Sequence, residues 1–260
     1  MDLGFRGDVV DFYQRYRRGY PDAAVDLVVD EFSLSRDDIV VDMGCGTGQL
    51  TLPFAGRVRA AVGVDPEPDM LARARQDALA RGVANVGWMV AADTDLASLG
   101  AVLNGLGAVT IGQALHWMDH EALFRKSRPL VRPGGGVAVF TNGTPLWLQD
   151  ADWSRALRSC LEELTGKRVT RTCGTDEETQ QRYAADLAAA GFEVRSHRVE
   201  YSDPLELEAV VGNVFSALPV DRLPAPERRQ AFFEQVGRAL EPYAPFTEHV
   251  AVRVLTGRSG

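Results

Sequence analysis

The stretch Val40-Val41-Asp42-Met43-Gly44-Cys45-Gly46-Thr47-Gly48-Gln49 decides the reading of this chain. An apolar run over 39–43 reads as a buried strand, and it ends in three glycines at alternate positions. A helix over 47–56 is predicted to start at once. Glycine tolerates positive φ and lets a ligand come close to the backbone. A helix N-terminus adds free N–H groups and a partial positive charge. The spacing separates two classes of nucleotide site. A dinucleotide fingerprint, GxGxxG, needs its third glycine at position 49, where this chain has Gln49. The pattern here is DxGxGxG, with Asp42 beside the turn. A carboxylate there suits a cationic amino-acid tail better than a pyrophosphate.

Outward from the turn, predicted strands at 60–64, 86–90, 108–111 and 137–141 alternate with helices over 66–81 and 121–130. Pro66 opens the first of these helices and Gly82 follows its end, the expected asymmetry. Arg132-Pro133-Gly134-Gly135-Gly136 is predicted to stop the second. Such alternation implies right-handed crossovers and a parallel sheet with helices on both faces. Two alternating segments near the end, 193–201 and 250–256, suit an antiparallel pair at one edge. The expected fold class is α/β, a seven-stranded and mostly parallel sheet with one antiparallel edge strand and helical insertions. A single domain over 1–260 is expected, with its core at 37–141, 184–202 and 248–257. The segments 144–183 and 203–247 are expected to cover the site.

The 260 residues suffice for one such domain, and 45% apolar with 25% charged residues is ordinary globular composition. No run approaches the roughly 20 continuous apolar residues of a membrane helix. Met1-Asp2-Leu3-Gly4 lacks the profile of a secretory signal, so a cytoplasmic location is expected. Cys45, Cys160 and Cys173 are widely spaced without a CxxC pair, which indicates neither disulfides nor a zinc site. The net charge is −8. A nucleic-acid partner would call for a basic patch, and the run Arg15, Arg17, Arg18 is too short to make one.

Asp65 lies seventeen residues past Gly48, at the end of the second strand. An acid at that place in an α/β nucleotide site accepts hydrogen bonds from ribose hydroxyls. Asp93 closes the third strand in Ala91-Ala92-Asp93, within reach of an adenine amine. Asp42, Asp65 and Asp93 thus fall at the carboxyl ends of successive strands, where open α/β sheets bind ligands.

Over residues 9–141 the chain resembles the class I S-adenosylmethionine-dependent methyltransferases. The resemblance implies a Rossmann-like fold and S-adenosylmethionine as cofactor. It places Asp42, Gly44, Gly46 and Gly48 around the methionine part, Asp65 on the ribose, and Ala92 with Asp93 on the adenine. Met70 would line the adenine slot, or is plain core. The segments Phe12-Tyr13-Gln14-Arg15-Tyr16-Arg17-Arg18-Gly19-Tyr20-Pro21 and Gln113-Ala114-Leu115-His116-Trp117-Met118-Asp119 resemble the trans-aconitate and natural-product methyltransferase branch. That implies a lid over 5–21, with Tyr13 and Arg18 toward the cofactor carboxylate and Gln113 beside the cofactor. The alternative for the first segment is a surface amphipathic helix.

Methyl transfer gains from alignment of the acceptor, and it needs a base only where the acceptor holds a proton. His116 is the candidate base, or a structural pin for its loop. His116 and His120 are spaced as in metal-binding helices but lack the Glu of HExxH, so no metal is implied. Trp117, Asn142, Trp147 and His249 are candidate substrate contacts. Asp150, Asp152, Glu162 and Glu163 on the cover would favour an amino sugar or aminoglycoside-like acceptor, in the manner of antibiotic and secondary metabolism, or are a solvated face. A carboxylate or phenol acceptor is the alternative, with Arg155, Arg158, Arg168 and Arg171 as a clamp. Outside the methyltransferases, a non-catalytic cofactor binder remains open, and Gln49 speaks against a nicotinamide oxidoreductase.

Overall fold

In the computed structural model, residues 4–99, 103 and 105–260 are described. The expectation for Met1–Leu3 lies outside these residues. The chain opens with α1 (Asp8–Tyr16) and α2 (Asp22–Glu31). It continues through β1 (Ile39–Met43), α3 (Thr51–Ala55), β2 (Ala60–Asp65), α4 (Pro68–Ala80) and β3 (Val86–Val90). After α5 (Leu96–Leu99) come β4 (Leu106–Gly112), α6 (His120–Ser127) and β5 (Val131–Asn142). The last part holds α7 (Asp152–Thr165), α8 (Glu177–Ala189), β6 (Glu193–Leu205), α9 (Leu207–Ala217), α10 (Pro226–Leu240) and β7 (Phe246–Arg258).

The strands form one sheet in the order β3-β2-β1-β4-β5-β7-β6. β1 pairs in parallel with β2 and with β4. β7 runs antiparallel to both β5 and β6, and β6 takes the edge. The expected α/β class with a mostly parallel seven-stranded sheet is therefore the observed one. The chain order reverses direction between β1 and β4, so a crevice opens there at the carboxyl ends of the strands.

Alternation along the strands sends side chains to two cores. Val41, Met43, Val109 and Ile111 meet Phe124 of α6 and Leu187 of α8 on one face. Val40, Ala108 and Phe140 meet Val25 and Val28 of α2 and Phe54 of α3 on the other. A third core lies off the sheet, where Trp153, Leu157 and Leu161 of α7 pack with Val214 and Phe215 of α9 and Phe232 and Val236 of α10. These helices are thus held together by an apolar interior of their own.

Two local expectations are corrected. The helix after the glycine turn begins at Thr51, not at 47. Gly44, Gly46 and Gly48 hold φ of 67°, 54° and 83°, and a right-handed helix starts only once the last of them is passed. The run Pro133–Gly136, expected to be a stop, lies inside β5. A Cβ on Gly136 would stand 2.1 Å from the Gly257 carbonyl oxygen and 2.6 Å from the Phe32 ring. Glycine is there because backbone and ring approach so closely.

Candidate active site

The turn after β1 and the loop after β4 meet at the crevice. A Cβ on Gly44 would lie 2.5 Å from the Ala114 Cβ, so the two segments touch through the bare glycine. The Gly44 and Cys45 amides donate to the Val64 carbonyl at 2.8 and 3.1 Å, tying the turn to β2. Asp65, at the end of β2, accepts from the Gly46 amide at 2.8 Å and from the Glu67 amide at 2.9 Å. Each of its oxygens keeps a further lone pair. Burial pushes its carboxyl above the usual range.

A cavity of about 770 Å³ opens over these segments. Gly44, Gly46, Asp65, Met70, Ala92 and Asp93 are among the residues that line it. Asp93 also accepts from the Asp119 amide at 3.2 Å, which joins the β3 and β4 loops. Gln113 lines it too, held at φ 52° with its amide donating to the Phe140 carbonyl at 3.0 Å. His116, Trp117, Asn142 and Trp147 line it as well, as do Tyr13 and Arg18 from the N-terminal segment.

Three sequence expectations fail. Asp42 does not reach the cavity. Its side chain stands on the α3 face beneath the turn, where it accepts from the Thr51 hydroxyl at 2.6 Å and the Thr110 hydroxyl at 3.0 Å. Complete burial, helped by the nearby Asp65, lifts its pKa to about 7 against the pull of the two hydroxyls. Gly48 is also outside the cavity, because a Cβ there would strike the Trp88 ring at 2.8 Å and the Ala74 Cβ at 3.4 Å. Its role is to let α4 and β3 close on the turn. His249 faces away, bonded to the Ser202 hydroxyl at 2.7 Å in a separate groove with Arg198 and Arg253. Alternation on a long antiparallel strand decided that side.

The N-terminal segment closes one side of the cavity. α1 is tied to α4 by Arg73–Asp11 at 2.8 Å and to α9 by Arg15–Glu208 at 2.8 Å. The Tyr16 ring lies on Gly212, where an added Cβ would approach to 2.2 Å. Gln49, which breaks the dinucleotide fingerprint, donates to the Arg17 carbonyl at 2.8 Å. Asn142 donates to the Gly19 carbonyl at 3.2 Å from the other side. The residue that distinguishes the motif therefore fastens this segment over the turn. Tyr13 comes down onto Gly46, with ring atoms 3.6 Å from where a Cβ would be.

Arg18 lines the cavity, but its guanidinium is taken up by Asp203 and Glu248, both at 2.5 Å. Arg17 lies over the Tyr13 ring at 5.5 Å and donates to the Ser216 hydroxyl at 2.9 Å. It has no carboxylate partner among the described residues, and nothing in its sequence context set it apart from Arg18. Glu67 and Glu248 were also missed as lining residues. Two positions past Asp65 at a helix start, Glu67 resembles an ordinary dipole-stabilising acid.

His116 is largely enclosed, and burial together with Arg171 and Arg17 lowers its pKa to about 4. Its ring is neutral at pH 7. The Arg171 guanidinium stacks on Trp117 at 3.9 Å. His120 turns elsewhere, against Asp186 at 3.0 Å and the Tyr183 ring. The cover acids also point away from the cavity. Asp150 and Asp152 pair with Arg155 at 2.9 and 2.5 Å. Glu162 accepts from the Val169 amide at 3.0 Å, and Glu163 from the Gln235 side chain at 2.6 Å. Of the four cover arginines, Arg168 and Arg171 reach the cavity, whereas Arg155 and Arg158 do not.

A sheet with this strand order and a DxGxGxG turn at its switch point defines a class of protein. The chain has the fold and motif of the class I S-adenosylmethionine-dependent methyltransferases. Residues 40–135 match the family described as a methyltransferase domain. An uncharacterized methyltransferase of Mycobacterium tuberculosis is 34% identical over 142 residues, covering 55% of this chain and 53% of that protein. An uncharacterized methyltransferase of Schizosaccharomyces pombe is 23% identical over 97% of this chain and 94% of its own. The chain spans about half the length of the curated mycobacterial relatives it matches. The YcgJ protein of Bacillus subtilis superposes with a TM-score of 0.56 at 16% identity, covering 92% of this chain and 99% of that one. The [4+2]-cyclase SpnF superposes with a TM-score of 0.53 at 21% identity, over 94% and 84%. Among the described residues, no helix is long and apolar enough to cross a membrane.

Proposed function

We propose that the protein transfers a methyl group from S-adenosylmethionine to a small molecule bound in the 770 Å³ cavity. The observation that carries this reading is the convergence, at one topological switch point, of the Gly44–Gly46 turn, Asp65 and Asp93 on a single cavity. A fold alone does not establish an activity, but these groups suit this cofactor. Asp65 keeps free lone pairs for two ribose hydroxyls, Asp93 and Ala92 stand where the adenine edge would lie, and Met70 offers a buried apolar wall. Gly44 and Gly46 give the methionine part a bare backbone, with Gln113, Tyr13 and Arg17 around it. When bound, the cofactor supplies an electrophilic methyl group on a sulfonium.

The chain's own residues enclose and orient. The N-terminal segment excludes water on one side, and Trp117 and Trp147 wall the acceptor end. His116 presents a neutral ring whose conjugate acid, near 4, makes it a poor acceptor for the proton of an amine or alcohol. It acts as a positioning residue in this reading. The amino-sugar acceptor loses its support, because the four cover acids are engaged outside the cavity.

The test is equilibrium binding of S-adenosylhomocysteine by calorimetry. The wild type is expected to bind, and Asp65→Ala to weaken binding by about ten- to a hundredfold, the worth of a hydrogen bond to a charged group. Circular dichroism checks that the variant is folded. Equal affinity in the two proteins would remove Asp65 from the cofactor site and the reading with it.

A further inference from the structure

The protein carries more acids than bases, 36 against 28, and arginines on several elements pair with carboxylates. Arg57 serves Asp22 and Asp26, Arg132 serves Asp38, and Arg195 serves Glu31 and Glu193. The mouth of the cavity holds cations without such partners. Lys167, Arg168, Arg171 and Arg222 line it, and none has a carboxylate partner among the described residues. Half-buried Arg17, bonded to the Ser216 hydroxyl, lines the same cavity and also has no carboxylate partner among the described residues. Three of these cations sit on the α7–α8 loop, and Arg222 comes from the α9–α10 connection.

The loop is built, not loose. Gly166 ends α7 in the left-handed conformation, with φ 66°. Glu162 holds the Val169 amide at 3.0 Å, and the Thr172 hydroxyl donates to Asp176 at 2.6 Å. Buried Gln180 donates to the Gly174 carbonyl at 2.6 Å and to the Thr141 hydroxyl at 3.1 Å. Gly174 then brings the loop onto His116, a Cβ there being 3.7 Å from the His116 Cβ. The guanidinium of Arg171 is fixed on the Trp117 ring at 3.9 Å. Trp147 lines the same cavity with a buried indole N–H that has no acceptor among the described residues. The acids that line the cavity are Asp65 and Glu67 after β2, Asp93 after β3, and Glu248, which shares Arg18 with Asp203. Acids thus line the cavity from the loops after β2 and β3, and cations without carboxylate partners line it from the α7–α8 loop and the α9–α10 connection. A site so arranged favours anions, draws them in, and leaves a cationic ligand repelled.

The geometry points to an anionic acceptor, a small molecule whose carboxylate or phosphate is bound by Arg168, Arg171 and Arg222 at the mouth of the cavity. This rests on the reading of the cavity as a methyl-transfer site. Carboxylate and phosphate share the chemistry that planar guanidinium groups recognise, and the experiment separates them.

The probes are four panels of matched size: carboxylic acids, phosphate monoesters, amino sugars and polyamines. Each is titrated calorimetrically with saturating S-adenosylhomocysteine and again without it. At least one acid or phosphate ester is expected to bind, more weakly as salt rises. The panel that binds names the anion. In the triple variant R168Q/R171Q/R222Q, its affinity is expected to fall at least about tenfold, the lower end for charged hydrogen bonds. The affinity for S-adenosylhomocysteine is expected to stay within about twofold, which shows that the fold and cofactor site survive. Binding confined to amines, no anion binding by a protein that holds S-adenosylhomocysteine, or unchanged anion affinity in the triple variant would each overturn the assignment. Failure to bind S-adenosylhomocysteine would instead sink the methyl-transfer reading, and the titrations without it still decide whether the mouth takes anions.

Discussion

Replacing Asp42 by asparagine probes the ionisation of a carboxyl that is sealed under the glycine turn. Its two oxygens accept from the Thr51 and Thr110 hydroxyls, at 2.6 and 3.0 Å, and burial lifts its pKa from 3.8 to about 7. The folded protein therefore holds a proton at Asp42 that the unfolded chain releases near pH 4. Between those values the folded state binds more protons, so stability falls as pH rises. At about 1.4 kcal/mol per pH unit, the loss from pH 4 to pH 8 is about 4 kcal/mol from this one group. The asparagine side chain would be neutral throughout, and one threonine hydroxyl can rotate to accept from its amide. The assay is urea unfolding of wild type and D42N at several pH values between 4 and 8, with stability extrapolated to water. The difference between the two proteins is expected to move by about 4 kcal/mol in favour of D42N as pH rises, since groups common to both cancel. A difference that stays constant over that range would mean that two hydroxyls suffice to keep the buried carboxylate ionised, and the desolvation argument would be wrong.

Gly48→Ala meets the Trp88 ring at 2.8 Å in a backbone with φ 83°, and a loss of about 2–4 kcal/mol is expected from strain and overpacking together. Gly82→Ala has φ 66° but open space, so about 1–2 kcal/mol is expected in the same unfolding assay, and equal costs would refute the packing role of Gly48. With the His116 pKa near 4, kcat/KM for any acceptor identified should show no His116 inflection near pH 6.5. An acid limb at that pH, present in the wild type and absent in H116Q, would make His116 the base after all.

Much of the frame was legible because it depends on short-range periodicity. The apolar run at Ile39–Met43 and the strand at Val86–Val90 came out with the observed boundaries, since a buried strand is bounded by its own turn residues. Asp65 and Asp93 could be placed at the cavity because the carboxyl ends of parallel strands share one edge of the sheet. The glycine run in β5 misled because the closeness of Gly136 to Gly257 and Phe32 involves chain segments about a hundred residues away.

The sequence by itself determined the alternation of strands and helices, the glycine turn after the first strand, and the acids that end the strands, all from local pattern. Tertiary structure decided what faces the ligand. Asp42 belongs to the motif, yet the pleat of β1 turns it toward Thr51 and out of the cavity. Composition made the cover look acidic, but burial of Trp153, Leu157 and Leu161 against α9 and α10 directs the acids of α7 elsewhere. The same packing brings Arg168, Arg171 and Arg222, from two separate loops, to one mouth. Net charge is a sum over the chain, whereas a binding site responds to the few charges that the fold turns inward.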